Sequence, residues 1–322
     1  MTVIAPRLAD LDLGLPVDEP FTRTHARSAG LTLPRLRGLT ASGTLRRLLH
    51  GVYVASDLPD SIQLRCQAVR LVIPDDAFVC DRTAAWIYTG PRALGPNEHL
   101  SVPPVSCFRP SGRHGLATRG VVSGERRIDG ADLRELNGLL VTTELRTALD
   151  LGRLQHSRDL RLWGMSNMLS TGAFGKEALL ARLPEFRGAR GVVDLRRLAP
   201  LADARLESFG EAALLNRWLD AGLPYPELQI SLDIDGVEIY RLDMGLPEWL
   251  FAGEYDGEED HSSEEDVEHD AERRAEIGRR WRYRIEVFRK QHVFGARQNA
   301  DVRLRQAAAE ARATFGSRTF IV

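Results

Sequence analysis

Apolar positions along the chain change period several times, and each change predicts a different element. Thr22 can cap a short helix beginning at Phe21-Thr22-Arg23-Thr24 and ending at Gly30. A second helix opens at Thr32 or Leu33, with Pro34 in its first turn, and runs to about Ser42, where Gly43 stops it. Leu45 to Val54 reads as two short strands around Gly51. Ile62–Ile73, Arg146–Gly152 and Ser157–Leu169 carry helical spacing, while Leu100–Val102 and Gly120–Val122 read as strands. From Glu207 to Ala221 the stripe Phe209, Ala213, Leu214, Trp218 predicts a helix, which Gly222, Pro224 and Pro226 end. Gln229–Ile234 alternates as a strand, Asp235-Gly236 forms a hairpin turn, and Val237–Met244 returns. Pro247 breaks the run, Trp249–Tyr255 makes a third strand, a helix covers about Glu264–Arg279, and Arg282–Val287 makes a fourth.

These elements predict an α/β, multi-domain chain: a winged helix-turn-helix domain over 1–56 behind a loose lead-in, an α/β connector over 57–204, and a mixed sheet flanked by helices over 205–322. At 322 residues the chain is too long for one ordinary core. No apolar run reaches the roughly 20 residues of a membrane span, and the first residues lack the basic and apolar regions of a signal peptide. Cys66, Cys80 and Cys107 have neither metal-ligand spacing nor an even count, as expected of buried thiols in a reducing cytoplasm.

The net charge of -2 does not decide on nucleic acid, but its distribution does more. From Phe21 to Val54 there are Arg23, Arg27, Arg35, Arg37, Arg46 and Arg47 and no acid, whereas acids dominate from Glu254 to Glu276. An unopposed positive field is what a DNA-binding surface needs. Arg23, Arg35 and Arg37 on the helices and Arg46 and Arg47 on the wing are the candidate DNA contacts, with a small helical cap bearing solvated arginines as the alternative.

The stretch FTRTHARSAGLTLPRLRGLTASGTLRRLLHGVYV resembles the winged-helix domain of AbiEi-type antitoxins. Where their relatives end in R-L-R-R-G-V-Y, His50 stands here in place of one basic residue. The likeness extends more loosely through Thr83–Trp86 and Val141–Leu151. It implies a DNA-binding repressor or antitoxin, with a cognate toxin or a second copy of the chain as further partners.

The strongest chemical signal lies further on. Arg241-Leu242-Asp243 is followed, about a strand later, by Phe251-Ala252-Gly253-Glu254-Tyr255-Asp256-Gly257 and then His261. Two apolar strands that deliver carboxylates to one end of a sheet can hold a hard divalent cation for phosphodiester hydrolysis. The order helix–strand–strand–strand–helix–strand, with Glu207-Ser208, Gln229, Asp243, Glu254, Asp256, His261, Arg273 and Arg284, is similar to the PD-(D/E)XK nuclease-fold family related to very-short-patch-repair endonucleases. The resemblance implies a metal-dependent deoxyribonuclease acting on DNA in defence or repair. Asp243 and Glu254 would hold Mg²⁺ or Mn²⁺, with Glu207, Gln229, Asp256 and His261 also in the site.

The signature's Glu-X-Lys reads Glu254-Tyr255-Asp256 here, and neither Lys176 nor Lys290 replaces the lysine. The short-patch-repair relatives lack it too and use histidine, which makes His261 the candidate base or phosphate contact. Asp243 and Glu254 could instead form salt bridges with Arg241 or Arg284. Arg273 and Arg284 could bind phosphate or pair with those acids. The alternative reading of the whole chain is an AbiEi-type DNA-binding regulator whose nuclease-like domain is inactive.

Overall fold

The computed structural model describes residues 6–95, 98, 104–112, 120–257 and 264–315, with the backbone alone at 264–268, 270 and 315. The class is α/β and multi-domain, with three sheets among the described residues. Two compact units divide the chain, one of residues 1–154 with 167–196 and one of 155–166 with 197–322.

In the first unit, helices Arg23–Ser28 and Leu33–Ala41 precede the hairpin Leu45–Leu49 and Val52–Ala55, and Phe21–Thr22 adds a third strand beside Val52–Ala55. Thr22 and Thr32 cap the two helices by accepting the backbone N–H of His25 and Arg35. The lead-in is tied down instead of loose. Leu8 and Leu15 are buried against Phe21, Leu36 and Leu39, so its apolar residues complete a core too small to close by itself.

A five-stranded sheet follows, its core of Val79, Ile87, Val105 and Val141 taking in Leu49 and Val52 from the hairpin. The expected strand at Leu100–Val102 lies outside the described residues. The Val141–Leu151 motif builds a buried charge network. Asp150, fully buried, is met by Arg146 at 2.9 Å, Arg153 at 2.7 Å and Arg126 at 3.2 Å, and Asp132 is met by Arg146 at 2.7 Å and Arg182 at 3.0 Å. Buried carboxylates so matched to guanidinium groups need no further partner.

The second unit is built on a four-stranded mixed sheet. Glu227–Ile234 pairs antiparallel with Val237–Leu246, which pairs antiparallel with Phe251–Tyr255, and Arg284–Phe288 lies parallel on the far side of that strand. Pro247–Trp249 forms a 3-10 turn between strands, so the third strand starts at Phe251 and not at Trp249. The parallel pair needs a crossover, and helix Glu264–Arg280 makes it.

Helix Phe209–Asp220 starts two residues later than the periodicity predicts because Ser208 is its cap, accepting the N–H of Glu211 at 3.1 Å. Its Trp218 is fully buried, stacks on Phe251 and donates to the Pro224 carbonyl at 2.7 Å, which anchors the turn after the helix. A final helix, Ala300–Phe315, had no predicted counterpart, and its Ala300, Leu304, Ala308 and Ala311 are buried.

The helix start and the sheet meet at Gly210. A β-carbon there would lie 2.0 Å from the Tyr255 ring, which also packs edge-on against Phe294. Gly210→Ala must displace that ring and is expected to destabilise the protein by about 1–3 kcal/mol. Chemical denaturation measures this, and an unchanged midpoint would show that the close approach is not needed.

Candidate active site

The site grows from the sheet register. Met244 pairs with Gly253, which brings Asp243 and Glu254 together as the next positions along that ladder. On the other side the register brackets Gln229 across from Asp243, through Leu228 with Met244 and Ile230 with Leu242. Gln229 has a φ of +56°, a left-handed conformation that is costly for a non-glycine inside a strand. Its amide donates to Glu211 at 3.0 Å.

Glu211 is the acid that the helix brings to this end of the sheet. It is 7% exposed and also accepts the Glu207 N–H at 2.9 Å. Glu207, the helix acid singled out from the sequence, precedes the first helical turn, is exposed, and pairs with Arg241 at 3.0 Å. The signal for Glu211 was present in Ser208-Phe209-Gly210-Glu211, because a residue three positions after a capping serine lies in the first turn.

Asp243, Glu254, Asp256 and Arg273 line one cleft of about 180 Å³ together with Tyr255, Arg274 and Val287. Asp243 accepts the Tyr255 N–H at 2.7 Å, which fixes its carboxylate. Burial, then the negative charge of Glu211 and that of Glu254, push its pKa up to about 7 against the pull of the Tyr255 N–H and Arg273. Burial likewise raises the pKa of Glu211. Glu254 is 8% exposed and takes both arms of Arg273, at 2.8 and 3.2 Å. Asp256, just past the strand, accepts from Arg289 at 3.0 Å.

Arg273 thus pairs with one of these acids, whereas among the described residues Arg241 and Arg284 bridge neither of them. Arg241 pairs with Glu207 and Arg284 with Glu310. His261 lies outside the described residues. Among the described residues, no three His, Cys, Asp or Glu stand in an arrangement that could hold a metal. Asp243, Glu254 and Asp256 offer carboxylate oxygens, the donor type a hard divalent cation takes, although Arg273 holds both oxygens of Glu254.

The predicted DNA-contacting arginines divide differently. Arg23, Arg37, Arg46 and Arg47 line one open groove of about 940 Å³ between the second helix and the hairpin, which His50 also lines. Arg46 is half-buried and donates to the Leu58 carbonyl at 2.8 Å, so it braces the hairpin. Arg35 is exposed and lies outside that groove. No helix of the described residues is long and apolar enough to cross a membrane.

The raised Asp243 pKa predicts a pH effect in the metal-free protein. Between about pH 4 and pH 7 the unfolded chain ionises this carboxyl while the folded chain keeps its proton, so the stability it contributes is lost as pH rises through that window. Asp243→Asn should therefore stabilise the chelator-treated protein at pH 8 by roughly 1–3 kcal/mol, and the gain should vanish near pH 4. Urea denaturation at both pH values checks this, and a gain independent of pH would contradict it.

No family model matches the chain. The uncharacterized protein Rv2248 of Mycobacterium tuberculosis strain H37Rv is 31% identical over 247 residues, covering 77% of this chain and 86% of its own length. The uncharacterized protein MT2308 of strain CDC 1551 matches to the same extent. With that identity over most of both chains, the protein belongs to the family of these uncharacterized mycobacterial proteins.

Proposed function

We propose that this protein is a metal-dependent DNA endonuclease of the cytoplasm, targeted by its helix–turn–helix module. The observation that carries the reading is the convergence of Glu211, Asp243 and Glu254 at one end of the mixed sheet, with Arg273 paired to Glu254. Like charges held this close are tolerated at a cost, and a site that uses them has reason to accept it.

Asp243 and Glu254 would hold Mg²⁺, with Mn²⁺ able to substitute. Such an ion would polarise the phosphoryl group and lower the pKa of a bound water. The Tyr255 N–H keeps Asp243 oriented, and the Glu211–Gln229 bond braces the strand beside it. In the reaction a water oxygen bonds to phosphorus as a bond from phosphorus to a sugar oxygen breaks. The attacking water loses a proton and the sugar oxygen gains one. Asp256 and His261 are the candidate proton acceptors. The acid-free groove lined by Arg23, Arg37 and Arg47 would follow the phosphate backbone.

A second reading is a DNA-binding repressor or antitoxin, with a toxin or a second copy of the chain as partner, whose nuclease-like domain is silent. It is favoured by the clamp of Arg273 on Glu254 and by an acid, Asp256, at the position of the signature's lysine.

Incubation of plasmid and linear DNA with Mg²⁺ or Mn²⁺ separates the two. Cutting that Asp243→Ala and Glu254→Ala each reduce by at least about 100-fold supports the nuclease. Absence of cutting, with sequence-specific binding that survives both changes, supports the regulator. Arg37→Ala with Arg47→Ala should weaken DNA binding and lower the slope of log affinity against log salt by about 1 per arginine. An unchanged slope would remove the groove from the account.

A further inference from the structure

The signature lysine is missing from the strand, yet the cleft contains a fixed cation on a neighbouring element. We propose that Arg273 is a catalytic residue that supplies this charge, contacting the non-bridging oxygens of the phosphodiester being cut. The inference rests on the nuclease reading of the site.

Arg273 sits on the crossover helix Glu264–Arg280, so it enters the cleft from a different direction than a strand residue would. Its two arms bind both oxygens of Glu254, and the arm nearer Glu254 also donates to the Arg241 carbonyl at 3.2 Å. Its guanidinium lies 5.7 Å from the centre of the Tyr240 ring, and Tyr240 is itself held by Glu276 at 2.7 Å. A planar guanidinium fixed at this many points loses little further freedom when it takes up a phosphate. Arg241 pairs with Glu207 and Arg284 with Glu310, while Arg289 reaches the cleft through Asp256 and Arg274 lines it beside Arg273.

The clamp on Glu254 also has a use in this scheme. In the metal-free protein Arg273 stands in for the cation and keeps two neighbouring acids compatible. Asp243 and Glu254 would hold the divalent ion, and Arg273, lining the same cleft, would donate to the charge developing on phosphate, where such donors act most strongly. Because an arginine stays protonated throughout, Arg273 takes no part in the proton transfers. The water's proton passes to a carboxylate or to solvent, and the leaving sugar oxygen is protonated from solvent.

The test compares the full-length wild type with Arg273→Ala and Arg273→Lys in three measurements: single-turnover cleavage with Mn²⁺, Mn²⁺ affinity by calorimetry without DNA, and rescue by added methylguanidinium. Arg273→Ala should cut about 100-fold or more slowly, yet bind Mn²⁺ as tightly as the wild type or several-fold tighter, since it loses the competing cation. Methylguanidinium should restore its rate by about tenfold or more, and Arg273→Lys should stay within about tenfold of the wild type. Cleavage by Arg273→Ala at the wild-type rate overturns the inference. So does a slow variant that has also lost Mn²⁺ affinity and is not rescued, which would make Arg273 a brace for Glu254 only. If Arg273→Ala does not fold, a 100-fold loss in a folded Arg273→Lys that keeps its Mn²⁺ affinity and is not rescued overturns it as well. A wild type that fails to cut DNA with either Mg²⁺ or Mn²⁺ sinks the nuclease reading and this inference with it, whereas the outcomes above sink the inference alone.

Discussion

Three carboxylates share one end of a small sheet, and the guanidinium of Arg273 clamps one of them, Glu254. Glu211 arrives on a helix, Asp243 and Glu254 on adjacent strands, and Arg273 on the crossover helix. Each feature nearby serves that meeting. Gly210 lets the helix start lie against Tyr255, the Tyr255 N–H orients Asp243, and Gln229 accepts an unfavourable backbone conformation opposite Asp243 while its amide holds Glu211.

The contrast with the first unit shows why this cluster is read as chemistry. Asp150 is more deeply buried than Asp243, but three arginines meet it at 2.7 to 3.2 Å. Its charge is fully answered, and the network it forms is a structural tie between helix and sheet. Asp243 accepts a backbone N–H, and burial, followed by the negative charges of Glu211 and Glu254, pushes its pKa up. A fold has an evident use for the first arrangement and little for the second, unless a cation, a substrate or both complete it.

Much of this was legible in the residues. The alternation of Gln229–Ile234, the Asp235-Gly236 turn and the break at Pro247 define a meander, and the register then has little choice but to bring Asp243 to Glu254. The two N-terminal helices and their hairpin were equally readable from Thr22, Thr32, Pro34, Gly43 and Gly51. What failed to show was whatever depends on contacts between elements. Glu207 and Glu211 both fit the start of a helix, and only the Ser208 cap settles which of them turns toward Gln229. The burial of Leu8 and Leu15 beneath the first helices has no local pattern, and the alanine-rich face of Ala300–Phe315 gives a weak periodic signal. Arg273 could be named, but its partner could not, because Glu254 lies on another element.

The exchange of Glu207 for Glu211 is also the point at which the account is most exposed. Plasmid nicking in Mg²⁺ by the wild type, Glu211→Gln and Glu207→Gln tests it directly. Loss of nicking in Glu211→Gln, with near wild-type rates in Glu207→Gln, is the predicted result. Equal nicking by all three proteins would contradict a cleavage site built on the buried acids at the end of this sheet.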